Sequence, residues 1–223
     1  QVRALDPADL RVRQVTLELG LYLPRQQCVV AGLQQQGGEL LRRRHHVTDS
    51  LDRLGLELPS GYVSEINLRL QPWIGELGRL ISRGAALLVD YGYERRDYYS
   101  PDRNSGTLLC HYRHHANTDP LYLPGMQDIT AHVDFTAVAE AADSAGLAVS
   151  GYTSQAAFLL GCGIEQMLEG MAQKQDAEWF ALVEGFKRLV LPTEMGERFR
   201  VMALTRGLQT APEGFTQDMR FRL

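Results

Sequence analysis

The spacing of apolar positions changes several times along the chain, and each change predicts an element. Residues 11–19 (RVRQVTLEL) alternate apolar and polar, which predicts a solvent-edged strand or ribbon. Gly37 and Gly38 then open a stretch, 39–54, with sparse apolar positions, a peripheral excursion; 54–59 reads as a short weak strand. Ser64 stands as an N-cap ahead of Ile66, Leu70, Trp73, Ile74, Leu77 and Ile81 at helical spacing, with a kink or restart expected at Pro72. Gly84 closes that helix. The apolar run 85–89 follows at once as a strand ending at Asp90.

Residues 93–125 hold too many Pro, Asp, Asn and Gly for regular structure throughout. They predict a long lid loop with a short hairpin around 107–112. Asp134 caps a second helix, with Phe135, Val138, Ala139 and Ala142 on one face and Gly146 as its stop. A strand at 147–152 leads into helices at 154–172 and 176–190, the second carrying Phe180, Val183 and Phe186 on one face. The last strand is 199–204, before a turn at Arg206 and Gly207, and the tail from Gln209 is expected to be loose.

Helix, strand, long loop, helix, strand, two helices and strand make an α/β fold. It reads as the later half of a doubly wound, Rossmann-like sheet, with a lid loop and a helical insertion. The expected divisions are a peripheral 1–60, an α/β domain 61–208 and a tail 209–223. The glycine-rich turn that follows the first strand of such a sheet is not found. Gly161, Cys162 and Gly163 fall inside a helical run, and Gly37 and Gly38 follow no good strand. The chain also opens without Met, so it is expected to be the later piece of a longer protein.

Composition narrows the partners. A net charge of -4 argues against a nucleic-acid backbone, even with the local cluster Arg42, Arg43 and Arg44. Three widely spaced cysteines imply no disulfide framework and fit a reducing compartment. No apolar run nears the roughly 20 residues of a membrane span.

Candidate chemistry concentrates between residues 84 and 135. Asp90 is placed at the carboxyl end of a strand, where open α/β sheets bind ligands, and competes there with a plain turn role before Gly92. Asp128 and Asp134 bracket the turn QDITAHVD. Asp134 has an N-cap role to fill; Asp128 reads equally as a turn former or a substrate carboxylate. His132 is a candidate base or donor, against a satisfied structural histidine. Glu65 and Asn67 are expected in the first turn of a helix, where the dipole alone favours a carboxylate. Cys110, His111, His114 and His115 are competent zinc ligands, but they crowd one short segment and strand alternation parts Cys110 from His111. No metal is expected. A loop anchored by Arg113 and His115, with tyrosines such as Tyr91 available for stacking, fits better.

The segments LLVDYGY, Tyr98-Tyr99, GTLLCHYRHH, PGMQDITAHVDF, GYTSQAAFL and EMGERFRVMAL resemble the C-terminal half of the MidA family of S-adenosylmethionine-dependent methyltransferases. The resemblance covers roughly residues 62–207. The first sixty residues match weakly, and the family's glycine-rich nucleoside loop has no match. The mitochondrial member of that family assembles respiratory complex I by methylating an arginine of a partner subunit. The resemblance therefore implies S-adenosylmethionine as cofactor and a protein arginine as acceptor. It implies Asp90, Asp128, His132 and Asp134 as catalytic residues, because carboxylates must localise the charge of an always-protonated guanidinium. Glu65, Asn67, Tyr91, Arg113 and His115 are the implied substrate-binding set, and no residue is assigned to the cofactor. A homodimer through the helical insertion and a bacterial cytoplasm, or mitochondria for a eukaryotic member, complete the expectation. The competing reading is a non-catalytic assembly module that clasps a partner protein through the 93–125 loop.

Overall fold

The computed structural model describes residues 28–32, 62–67, 69–123, 125–171 and 177–223. The expected ribbon at 11–19, the excursion at 39–54 and the weak strand at 54–59 lie outside them. In chain order the strands are β1 (Cys28–Gly32), β2 (Val63–Asn67), β3 (Gly84–Tyr93), β4 (Leu109–Tyr112), β5 (His115–Asn117), β6 (Asp128–Thr130), β7 (Val133–Asp134), β8 (Ala148–Ser154) and β9 (Phe199–Arg206). The helices are α1 (Leu70–Leu80), α2 (Arg95–Tyr98), α3 (Phe135–Ser144), α4 (Gln155–Gly161), α5 (Ile164–Met171) and α6 (Ala177–Val190). The described residues fall into two units. The first holds 70–95 and 133–223; the second holds those before 70 and 96–132.

The first unit is built on a four-stranded sheet in the order β7-β3-β9-β8. β9 runs antiparallel to both β3 and β8, so those two strands are parallel to each other. The register sets Leu88 opposite Met202 and Met202 opposite Tyr152. Side chains directly opposite share a face, so this row forms the floor of the core. α1 and α3 cover it with Ile74, Leu77, Phe135, Val138 and Ala142, all buried. Burying side chains the size of Ile74, Leu77, Phe135 and Val138 contributes roughly 1.5–3 kcal/mol each.

Arg206, the last residue of β9, locks the two covering helices. Its guanidinium donates to the carbonyls of Gly78 and Ile81 at the end of α1, and to Ala145 and Gly146 just past α3. These are the unsatisfied carbonyls of two helix C-termini, where a cation is favoured. α3 begins as the sequence predicts: the Asp134 carboxylate accepts from the Ala137 N–H at 3.0 Å. It ends on Gly146 at φ +71°, with Leu147 N–H donating to the Ala142 carbonyl.

Several expectations are corrected. Ser64, Ile66, Glu65 and Asn67 do not start a helix; they form β2, and α1 starts only at Leu70. Pro72 is the third residue of α1, where the N–H has no intrahelical acceptor, so the helix runs unbroken. β3 continues past Val89 to Tyr93, so Asp90 sits within the strand rather than at its end. The continuation follows from β9, which sets Arg200 opposite Asp90 and Phe199 opposite Tyr91. The helix expected over 154–172 is broken between α4 and α5, where Gly163 takes φ +79°. The tail is docked rather than loose. The Met219 N–H donates to the Tyr152 carbonyl at 2.7 Å, Phe215 packs on Phe158, and Met219 and Leu223 touch the core.

The second unit contains two small antiparallel groups, β1-β2 and β5-β4-β6. The hairpin expected at 107–112 is present but shifted, with β4 and β5 joined through Arg113 and His114 at φ +48° and +66°. Two successive left-handed residues are the geometry of a tight hairpin turn. Here neither is glycine.

Candidate functional site

In the first unit, chemistry gathers at the carboxyl ends of the parallel strands β3 and β8. Asp90, Arg200 and Ser154 form one row across β3, β9 and β8. Asp90 is exposed, and its carboxylate accepts the Tyr91 N–H at 2.8 Å. The strand around it sheds enough water to push its pKa above the ordinary aspartate value, the Tyr91 hydrogen bond opposing. Among the described residues it forms no ion pair. Arg200 is buried and donates to the Glu197 carbonyl at 2.5 Å, while Ser154 donates to the Glu197 carboxylate at 2.9 Å.

Gly92, two residues on, lets β7 approach. A Cβ there would stand 2.2 Å from the Val133 carbonyl oxygen and 2.9 Å from its nitrogen, both backbone atoms. That approach places Asp134 at the edge of the sheet. One Asp134 oxygen caps α3; the other lies 3.6 Å from the Arg95 guanidinium, which also grips Glu140 at both oxygens. Burial raises the Asp134 carboxyl above its usual value, with the Ala137 hydrogen bond and Arg95 opposing. Tyr91 is partly exposed and meets Phe199 edge-on at 5.5 Å.

Glu94 follows β3 directly and is 1% exposed. Among the described residues neither of its oxygens has a hydrogen-bond partner. The Tyr152 hydroxyl is equally buried. It lies near enough to Glu94 and Arg200 for both charges to act on its acidity, yet neither contact has hydrogen-bond geometry. Burial first, then Glu94, holds that phenol protonated well above the usual range.

The second unit carries the other candidates. Asp128 lies opposite His111 in the β4–β6 register. The two line an open hollow of about 670 Å³ together with Arg113, His114, Ile129 and Thr130. Arg113 also rests over the Tyr112 ring at 5.4 Å. His115 is exposed on β5 and does not line the hollow. Cys110 is fully buried, and among the described residues no cluster of three or more His, Cys, Asp or Glu side chains could hold a metal ion.

Glu65 is buried, and its carboxylate accepts both N–H groups of Thr107 and Leu108 at about 3 Å and the Thr107 hydroxyl at 3.0 Å. Gly106 makes room for it, since a Cβ there would sit 2.2 Å from a Glu65 oxygen. The Thr107 hydroxyl in turn accepts the His132 N–H at 3.0 Å. Burial, then the Arg103 charge, depress the His132 pKa, which favours a neutral imidazole; Glu65 opposes. Asn67 is exposed and its side chain accepts the Arg69 N–H, a local turn contact.

The structure thus places Asp90 and Asp134 in the first unit, and Asp128, His132, Glu65, Arg113 and His115 in the second. Sequence reasoning missed Glu94, Tyr152, Ser154 and Arg200. Each is one polar residue in or beside an apolar run, so periodicity gave no signal. Their common mark is burial, which only pairing across β3, β9 and β8 creates.

Comparison with known proteins gives this edge its context. A family model described as "Putative S-adenosyl-L-methionine-dependent methyltransferase" matches residues 11–153, well over half of the chain. The chain is 37% identical over 135 residues to a bovine protein named protein arginine methyltransferase NDUFAF7, mitochondrial, covering 59% of this chain and 29% of that protein. A Drosophila melanogaster homologue of the same name is 31% identical over 159 residues, 66% of this chain and 33% of its own. A crystal structure from Burkholderia thailandensis overlays with TM-score 0.75 at 38% identity, covering 79% of this chain and 48% of that one. A second, bound to S-adenosyl-homocysteine, gives TM-score 0.71 at 39% identity, covering 78% and 46%. The chain therefore spans about a third of the length of these curated relatives and just under half of the solved ones.

The cofactor of such a family is S-adenosylmethionine. The described residues offer no glycine-rich turn between a strand and a helix N-terminus, so none of them fits the role of a nucleoside cradle. They supply acids at a strand end instead. With its α/β sheet, its acid-lined carboxyl edge and these matches, the chain belongs to this family of S-adenosylmethionine-dependent methyltransferases.

Proposed function

We propose that the whole protein transfers a methyl group to an arginine side chain of a protein, and that this chain supplies acceptor-side residues. The observation that carries the reading is Asp90. It is an exposed carboxylate without an ion pair among the described residues, in a row with Arg200 and Ser154 toward the carboxyl end of the sheet, where ligands of open α/β folds bind. The names of the bovine and fly relatives support arginine as the acceptor.

A guanidinium is protonated at every physiological pH, so its nitrogen lone pairs are delocalised. A carboxylate that accepts two of its N–H bonds holds it in line and concentrates charge on one side. Asp90 takes that role. Asp134, committed to the α3 cap and to Arg95, orders the strand end rather than the acceptor. In the second unit, Asp128 and Arg113 in the hollow are assigned to recognition of the acceptor protein. Glu65 and Asn67 have local partners and organise the backbone.

The test is transfer of labelled methyl to an arginine-bearing acceptor by the full-length protein. Asp90→Asn should lower the rate at least about 100-fold, the size expected when a group aimed at the reacting centre is lost. Cofactor affinity should hold. Unchanged turnover removes Asp90 from the site.

A second reading, a non-catalytic assembly module, draws on one observation. Leu121, Tyr122 and Met126 of the second unit are 78%, 53% and 63% exposed, more than an isolated surface usually carries together. Full-length protein that binds a partner but fails to bind S-adenosylmethionine would favour it.

A further inference from the structure

The first unit contains a carboxylate that the fold buries without satisfying. Glu94 is 1% exposed, and among the described residues neither oxygen accepts a hydrogen bond. An ionised carboxylate so placed needs a cation, because burial without pairing costs several kcal/mol. Arg200 is nearby but is already bound to Glu197 through its carbonyl and lies 3.7 Å from its carboxylate. The cation facing Glu94 is Arg222, from the 3-10 turn Arg220–Arg222 at the end of the chain. Its Nε stands 3.5 Å from Glu94 Oε1, and its side chain is 37% exposed.

That contact is loose by the molecule's own standard. Arg95 grips Glu140 with two bonds at 2.6 and 2.5 Å. A pair built for stability would show that fork geometry, above all in a dry site. Arg222 instead rests its Nε against Glu94 from a short, solvent-edged turn, held by the Met219–Tyr152 backbone bond and the docking of Met219 and Leu223.

We propose that Glu94 is a seat for the guanidinium of the acceptor protein, and that Arg222 occupies it as an internal stand-in until the acceptor displaces it. Glu94 comes four residues after Asp90 at the end of the same strand, so the seat belongs to the same carboxyl edge. This rests on the arginine reading for its substrate class. It adds a second carboxylate, and a competition inside the chain that lowers apparent affinity by the fraction of molecules in which the seat is free.

The test uses the full-length protein and a blocked Gly-Arg-Gly peptide, with blocked Gly-Lys-Gly as control, titrated calorimetrically. If Arg222 fills the seat in about nine of ten molecules, Arg222→Ala should bind the arginine peptide about tenfold tighter than the parent. The lysine peptide should gain much less, lacking the planar fork. Arg222→Ala combined with Glu94→Gln should lose the gain. Equal affinity of parent and Arg222→Ala overturns the proposal, as does tight binding that survives Glu94→Gln. A fall in melting temperature with no change in affinity also overturns it, since that is the signature of a purely structural tie. Should Glu94→Gln fail to fold, the Arg222→Ala titration decides alone. Methyl transfer is a separate readout. A parent protein that methylates no arginine, beside an Arg222→Ala variant that binds the peptide tightly, sinks the proposed function and leaves the seat standing.

Discussion

The two units of this chain are held by different forces. The first buries a continuous apolar layer between sheet and helices, with twelve side chains of the described residues in one cluster. Among the described residues, the second buries few large apolar groups, Tyr62, Tyr98, Tyr99 and Cys110 among them, and is organised by the carboxylate of Glu65. An apolar layer is non-directional and cooperative. A buried carboxylate is directional, and its loss strands the particular donors it served. The difference predicts that the first unit fails as a whole and the second fails at its loop.

The largest effect should come from Phe135→Ala. Phe135 is 1% exposed and packs on Tyr152 with ring centroids 5.4 Å apart. Removing a buried phenylalanine costs about 4 kcal/mol through lost transfer energy and the cavity left behind. Denaturant unfolding should show a lower midpoint with hydrogen exchange accelerated across β3, β8, β9 and α3 together. Acceleration confined to α3 would show that the layer is not cooperative.

Next comes Glu65→Ala. Three donor groups of Thr107 and Leu108 lose a charged acceptor, which costs about 3 kcal/mol once water partly replaces it. Exchange should quicken at Thr107, Leu108 and His132, the residues of that network, while the first unit keeps its protection. Collapse of both units together would erase the contrast.

Arg206 blurs the distinction, because a single polar side chain fastens the apolar unit. Arg206→Met keeps the stem and removes the donors to four carbonyls at two helix ends. The expected cost is about 2 kcal/mol, below that of Phe135→Ala because some of these carbonyls can turn to water. Arg206→Lys should recover only part, since a point charge cannot reach all four. Thermal melts of the two variants rank them.

The same contrast decides what the sequence revealed. β3, α3, β8 and β9 were legible because an apolar layer writes its period into the chain. The cap at Asp134 and the stop at Gly146 were legible because caps are local chemistry. β2 was misread as a helix start: SEIN carries a capping serine, and its true partner β1 lies more than thirty residues upstream. Helical spacing in 154–172 hid the break at Gly163, which depends on one backbone angle. The tail looked loose by composition, yet Phe215, Met219 and Leu223 each find a place on the first unit. Asp90 and Asp134 were named as candidates because they lie in the run itself. Glu94, Tyr152 and Arg200 were not, because their burial arises from strands far apart in sequence.

The smallest expected effect is a difference in pH response. In the first unit, burial raises the carboxyls of Asp90 and Asp134 above 3.8. Their protonated forms are the ones folding favours, so that contribution is complete below 3.8 and is lost as pH rises through the raised values. In the second unit, burial and Arg103 hold His132 below 6.5, so folding favours the neutral ring. Its contribution is complete above 6.5 and is lost as pH falls through the depressed value. Between about pH 8 and 5, the range in which histidine changes charge, only the second unit should weaken. Corrected amide exchange at Thr107 and Leu108 should therefore quicken over that interval while α3 stays constant. The response should vanish in His132→Gln, and the His132 ring of the parent should titrate with a midpoint under 6.5 by NMR. A midpoint above 6.5 would reverse the sign, since a ring stabilised in its charged form would strengthen the loop as pH fell. The buried carboxylate of Glu65 would then outweigh burial and Arg103 at this imidazole.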